Sequence, residues 1–280
     1  MPQTILTSCY PTPPLPPRTT SLFHFFLPRN LDRPSDHAFV AADTGVSYTR
    51  QQFRTNALRL GAGIKNLSSS PSPSSKGGKK RLALVFSPNS IHYPLLFFAL
   101  QSSLTIASLA NASYTPKELC HQLRDGKPSI LFVHPALWPI AKEALKILSG
   151  ESAEAGWVRE IKVFYTVPKK EVPKDNSGGI KSFEDLYVDE SEVKDWNGDA
   201  LPEESGDDET AVLCYSSGTV SLPPLSCFFA VLFARSITSN ITFRYALPDR
   251  RPQRRRDDPP KPFTRIRQGH DVVDEARTWG

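Results

Sequence analysis

Cysteine is scarce in this sequence, and what there is lies far apart. Cys9, Cys120, Cys214 and Cys227 form no C-x-x-C pair, which argues against a disulfide framework or a zinc site. A reducing, intracellular setting is the expectation. Histidine pairing is missing too: His24, His37, His92, His121, His134 and His270 show no H-x₃-H or H-E-x-x-H spacing, so they read as surface or hydrogen-bonded core residues and not as metal ligands. No basic stretch followed by an apolar one opens the chain, so no secretory signal is expected. The longest apolar runs, Pro94–Leu100 and Leu222–Ala234, fall well short of the ~20 residues that a bilayer span needs. The terminal Thr278-Trp279-Gly280 is no peroxisomal address.

What is present is uneven. Hydrophobic residues make up 39% of the 280, adequate for one large domain or two ordinary ones. The 26 prolines concentrate at the N-terminus and in the last third. The net charge of +5 conceals a strongly acidic stretch at 183–209 and a strongly basic one at 244–267, so global charge says little about partners.

Residues 1–20, rich in proline and threonine without periodicity, read as a mobile lead-in. Ser21–Phe26 reads as a short docked helix, and Ala38–Ala41 and Val46–Thr49 as two strands around the turn Asp43-Thr44-Gly45. Thr49-Arg50-Gln51-Gln52 is a capping box that opens a helix with Phe53, Ala57, Leu60 and Ile64 on its apolar face. Ser68–Lys80 is low in complexity and reads as a flexible surface insertion. Its Gly77-Gly78-Lys79-Lys80 lacks the spacing of a nucleoside-triphosphate loop.

A regular alternation follows. Arg81–Phe86, part of Ser103–Ala110, Ser129–Val133 and Glu160–Val167 read as strands. Between them, Ile91–Gln101, a Thr115-capped helix stopped by Gly126, and Ala136–Leu148 read as helices. This pattern predicts an α/β fold with a mostly parallel sheet, flanking helices and right-handed crossovers. Pro168–Gly179 reads as a linker. Asp189–Glu209 reads as an acidic, solvated connection. It lacks the Asp-x-Asp-x-Asp-Gly order of a calcium loop.

The apolar run Ala211–Tyr215 then predicts a buried strand that stops abruptly at Ser216-Ser217-Gly218-Thr219. A glycine among small hydroxyl residues just after a strand suits a phosphate. The backbone can approach closely, and amide and hydroxyl donors can face the oxygens. A lone serine-rich turn of this kind carries little weight without its surroundings.

Here the surroundings add to it. Asp207-Asp208-Glu209-Thr210-Ala211 and Tyr215-Ser216-Ser217-Gly218-Thr219 together resemble the opening of the phosphate loop of adenylate-forming enzymes, the AMP-dependent acyl-CoA synthetases, and most of all their 4-coumarate:CoA ligase-like members. Asp43-Thr44-Gly45-Val46-Ser47-Tyr48-Thr49, Val85-Phe86-Ser87-Pro88-Asn89-Ser90, Asn111–Leu119 and Ser182–Tyr187 resemble the same family's N-terminal domain, with Ala112 where proline is usual. The resemblance covers 20–219. It implies a partial adenylation domain over 21–219 as the first N-terminal subdomain. It assigns the phosphate-binding role to Ser216, Ser217, Gly218 and Thr219. ATP/AMP, Mg2+ and coenzyme A are the implied cofactors, a carboxylic acid the implied substrate, and the cytoplasm or peroxisome the implied location.

In the family the loop continues threonine, glycine, any residue, proline, lysine, glycine. This chain reads Val220-Ser221-Leu222-Pro223-Pro224-Leu225. Pro224 stands in the lysine's place, removing a cation and a backbone donor. A truncated, inactive member with no catalytic residue of its own is therefore expected, and 220–280 reads as a tail outside the family pattern, disordered or irregular. Val-Ser can be encoded GTGAGT or GTAAGT, the common 5′ boundary of an intron, so translated intron or a shifted frame would account for the break. The arginine run at 250–256 lacks interleaved aromatics, and no nucleic-acid partner is expected. The alternative from another class is a non-enzymatic α/β interaction protein that uses its basic C-terminal arm.

Overall fold

In the computed structural model, residues 20–67, 81–176, 178–201, 210–216 and 228–233 are described. The lead-in (except Thr20), the low-complexity insertion and most of the C-terminal stretch lie outside them.

The chain enters through α1 (Leu22–Phe26), capped by the Ser21 hydroxyl. A small antiparallel hairpin follows, β1 (His37–Val40) with β2 (Ser47–Thr49). Thr49 and Gln52 form the expected capping box and open α2 (Arg50–Asn66). Then come β3 (Leu82–Phe86), α3 (His92–Ser102), β4 (Ile106–Ala110), α4 (Pro116–Gly126), β5 (Ile130–Val133), α5 (Trp138–Gly150), the single turn α6 (Ala155–Val158) and β6 (Lys162–Tyr165). β7 (Lys181–Ser182), β8 (Thr210–Ser216) and β9 (Phe228–Phe233) complete the sheet.

The main sheet runs β7-β6-β5-β3-β4-β8-β9. Every pair is parallel except β8 with β9, which is antiparallel. β9 falls in the segment expected to be an irregular tail, and it pairs with β8 from Thr210 to Ser216.

Two apolar layers cover the sheet, as alternation along each strand requires. Ala83, Val85, Ile130, Phe132 and Phe164 face α1, α2 and α3, with Phe53, Leu60, Ile64, Leu95 and Leu96 packed on them. Leu84, Phe86, Leu131, Val133 and Tyr165 face α4 and α5, with Leu119, Leu123, Ala141, Ala144 and Leu148 opposite. β3 and β5 are buried along their whole lengths.

Two departures from expectation have local causes. α4 does not stop at Gly126 but includes it, and Lys127 takes the left-handed position at φ 45°. The Lys127 amide donates to the Leu123 carbonyl at 2.8 Å, which offsets the cost of a side chain there. The acidic connection, expected to be solvated, packs where it is described. A short 3-10 turn, Glu190–Val193, buries Val193, and Leu201 is buried after it. Gly63 of α2 allows another such approach. A Cβ there would sit 1.6 Å from the Leu186 carbonyl oxygen, so the 3-10 turn Phe183–Leu186 can lie against α2 only over glycine.

Candidate functional site

Because β3, β4, β5, β6 and β8 run the same way, their carboxyl ends share one edge of the sheet. The chain order reverses around β3, which has β4 on one side and β5 on the other. In open α/β sheets such an edge is where ligands bind. The residues that follow the strands there are Ser87, Asn111, His134 and Thr166.

The Ser87 and Thr166 hydroxyls, both buried, lie 3.2 Å apart, and Ser87 donates onward to the Pro88 carbonyl at 3.0 Å. The His134 amide donates to the Phe86 carbonyl at 2.9 Å, while its ring Nδ1 accepts from the Ala136 amide at 3.2 Å. Burial lowers the His134 pKa, opposed by Glu171.

A cavity of about 610 Å³ opens between the β1–β2 hairpin, the Asn89–His92 turn and the loop after β6. Val40 and Val46 on its wall are 57% and 49% exposed. His92 at the start of α3 lies 3.4 Å from the Tyr48 hydroxyl through Nδ1. Burial lowers the His92 pKa, with Glu171 and Glu184 pulling it back up. The same burial raises Tyr48. The loop after β6 is pinned by the Ser182 hydroxyl, which donates to the Val167 carbonyl at 2.6 Å, and by Lys169, whose ammonium lies 2.9 Å from Asp185.

β8 reaches this edge beside β4, with Cys214 opposite Leu109. Of the four residues assigned to phosphate, the structure places Ser216, the last residue of β8, paired with Phe228 of β9. Ser217, Gly218 and Thr219 lie outside the described residues. Tyr215 just before them donates from its hydroxyl to Asp125 at 2.8 Å. Burial raises the pKa of the neighbouring Cys214 thiol. Among the described residues no group of three His, Cys, Asp or Glu side chains could hold a metal ion, and no helix is long and apolar enough to cross a membrane.

The fit to a nucleoside triphosphate is partial: β8 ends at the ligand-binding edge, and Pro224 stands where the resemblance implies a lysine. The sequence alone did not reveal the cavity. Its wall is assembled from the hairpin, the Asn89–His92 turn and the loop around Lys170 and Glu171, which are distant in the chain. The only local hint was the Ser87-Pro88-Asn89-Ser90 turn after a strand.

A mostly parallel, open sheet with flanking helices, one of whose strands ends at the edge where such sheets bind ligands, defines an open-sheet α/β protein. Residues 27–224 match the family model described as AMP-binding enzyme, and the chain belongs to that family. Among its relatives is a 4-coumarate–CoA ligase-like protein of rice, Oryza sativa subsp. japonica. It is 35% identical over 117 residues, which cover 41% of this chain and 17% of that protein. The Arabidopsis thaliana protein 4-coumarate–CoA ligase-like 8 is 29% identical over 139 residues, 49% of this chain and 22% of that one. The chain thus spans about a fifth of the length of these curated relatives. The anthranilate CoA ligase AuaEII, solved with anthranoyl-AMP, superposes with a TM-score of 0.53 at 19% identity, covering 78% of this chain and 34% of that enzyme. At that identity the likeness shows the fold alone.

Proposed function

We propose that this chain holds the first α/β part of an acyl-CoA ligase-like adenylation domain and that, as it stands, it forms no acyl-adenylate. The whole enzyme would join a carboxylic acid to the α-phosphate of ATP and pass the acyl group to coenzyme A. The observation that carries this reading is the position of β8: a strand ending in Tyr215-Ser216 lies beside β4 at the ligand-binding edge, within the matched residues 27–224. Relatives named as CoA ligases, and a related fold solved with ATP bound, support ATP and coenzyme A as the partners of the complete domain.

Pro224 supports the second half of the proposal. Transfer at phosphorus depends on positioned charge more than on covalent chemistry. A proline offers neither the ammonium nor an amide hydrogen to phosphate oxygens. The residues at hand do not make a triphosphate site, so no adenylation step is assigned to them. The scarcity of cysteine pairs and a relative named as a peroxisomal CoA ligase support an intracellular location, in the cytoplasm or the peroxisome.

The test is ATP-dependent release of pyrophosphate with a panel of aryl and fatty carboxylates, run beside a Ser217→Ala control. Wild-type and control rates that coincide at background are expected. Carboxylate-dependent release above the control refutes the inactive half of the reading.

A further inference from the structure

The last turn of α3 holds two points that bracket the second half of the acidic connection. Gln101, buried, donates from Nε2 to the carbonyl of Ala211 in β8 at 3.2 Å. Its neighbour Ser102 accepts at its carbonyl from the Asp199 amide at 2.7 Å. Residues 202–209 lie between these two points.

The Asp199 end is secured further. Its carboxylate meets the Lys65 ammonium of α2 at 2.6 Å and accepts from the Trp196 indole at 3.3 Å. Lys65 also lies 5.7 Å from the centre of the Trp196 ring. Asn197 accepts from Arg54 of the same helix. Gly198 makes the turn possible: its φ is +91°, and a Cβ would stand 3.2 Å from the Ser102 carbonyl oxygen and 3.1 Å from the Phe23 ring. Arg81 reaches the same corner, donating to the carbonyls of Lys65 and Ser103 at 3.3 and 2.9 Å. Thus Trp196-Asn197-Gly198-Asp199, in a stretch that reads as solvated acid, is bound to α2 by the Asp199–Lys65 ion pair and the Asn197–Arg54 hydrogen bond and to α3 through the Ser102 carbonyl.

We infer that Asp199 and Gln101 are positioning residues for β8: the Asp199–Lys65 ion pair to α2 and the Gln101–Ala211 hydrogen bond from α3 latch the chain on either side of residues 202–209 and hold the phosphate-loop strand at its place beside β4. The link from β8 to phosphate rests on the adenylation-domain reading; the latch itself does not. β8 lies near the sheet edge, and its described side chains other than Val212 are only half-buried, so packing alone holds it less firmly than β3 or β5. A latch at its entry supplies what packing does not. The ion pair is open enough to respond to salt, with the Lys65 and Asp199 side chains 42% and 17% exposed.

The test is hydrogen exchange of β8 (Ala211–Tyr215) against β5 (Ile130–Val133) in the full chain. The proteins compared are wild type, Asp199→Asn, Lys65→Met, the Asp199→Asn/Lys65→Met pair and Gln101→Leu. Asp199→Asn and Lys65→Met are each expected to speed β8 exchange about tenfold, with β5 unchanged. The pair should add little beyond either change alone, because both break one interaction. Gln101→Leu should act on β8 in the same direction. Should a variant fail to fold, the wild type in molar salt serves: β8 exchange should rise severalfold while β5 holds. Equal changes in β8 and β5, or none in β8, overturn the latch. Failure of the adenylation-domain reading would appear in nucleotide assays and would leave this exchange ratio untouched.

Discussion

β3 and β8 both sit within one parallel sheet, yet their surroundings differ. β3 lies between β4 and β5, is buried along its length and is covered on both faces. β8 lies between β4 and the terminal strand β9, and of its described side chains Val212 alone is fully buried. The strand at the centre of the core is thus not the strand that ends in Ser216 at the ligand-binding edge. A half-covered strand leaves its end open, and the cost is local stability that side-chain and backbone anchors must supply.

The largest expected effect tests the centre. Phe132 is fully buried on β5 with its ring 5.9 Å from that of Phe164. Phe132→Ala should lower unfolding stability by about 3–5 kcal/mol, whereas Leu213→Ala on β8 should cost about 1 kcal/mol. Urea denaturation measures both; similar losses would erase the contrast between centre and edge.

Gly63→Ala is next. The new methyl would meet the Leu186 carbonyl, so either α2 or the turn at 183–186 must shift, at about 2–3 kcal/mol. Thermal melts read the loss, and exchange should locate it at that turn and not in β8.

A smaller effect, about 1 kcal/mol, is expected for Thr115→Ala. This removes the hydroxyl that accepts from the Glu118 amide at 3.4 Å and donates to the Glu118 carboxylate at 2.8 Å, while the backbone amide of residue 115 keeps its own bond to that carboxylate. Urea unfolding should show it without change in β8 exchange.

The smallest effect is on pH dependence. Burial lowers the pKa values of His24, His92 and His134 in the folded state. The unfolded chain therefore binds protons more readily as pH falls below the ordinary histidine value of 6.5. Stability is full above that value and declines below it, down through the lowered folded pKa values. His92→Gln should shrink the loss of Tm between pH 7 and about pH 5.5. An unchanged loss would show that His92 does not contribute.

Much of the centre was legible because its rules are local. Thr49 with Gln52 and Thr115 with Glu118 announce helix starts by chemistry within one turn, and both capping boxes formed. The strand–helix alternation from Arg81 to Val167 gave the parallel sheet for the same reason. The two-residue β7 and the one-turn α6 carry no periodicity and went unread. Lys127 in the left-handed position defeated the reading of Gly126 as the stop, because that choice depends on how the chain leaves α4 toward β5. The edge was harder to read. Nothing local in Asp189–Asp199 shows that Asp199 meets Lys65 or that Asn197 meets Arg54; those partners lie far back in the sequence. β9 was hidden too, since Phe228–Phe233 is uniformly apolar and gains its identity by pairing with β8. Limited proteolysis should accordingly leave a fragment that ends at or beyond Phe233 and not near residue 220.

The central claim is that a phosphate-loop strand stands in place while its loop cannot grip phosphate. Titration of tripolyphosphate by calorimetry tests it most directly. The proteins compared are the wild type, a chain with Val220→Thr, Ser221→Gly, Pro224→Lys and Leu225→Gly, and that repaired chain with Ser217→Ala added. The repaired chain should bind about tenfold or more tightly than the wild type, and Ser217→Ala should remove most of the gain. Wild-type binding as tight as that of the repaired chain would contradict the account.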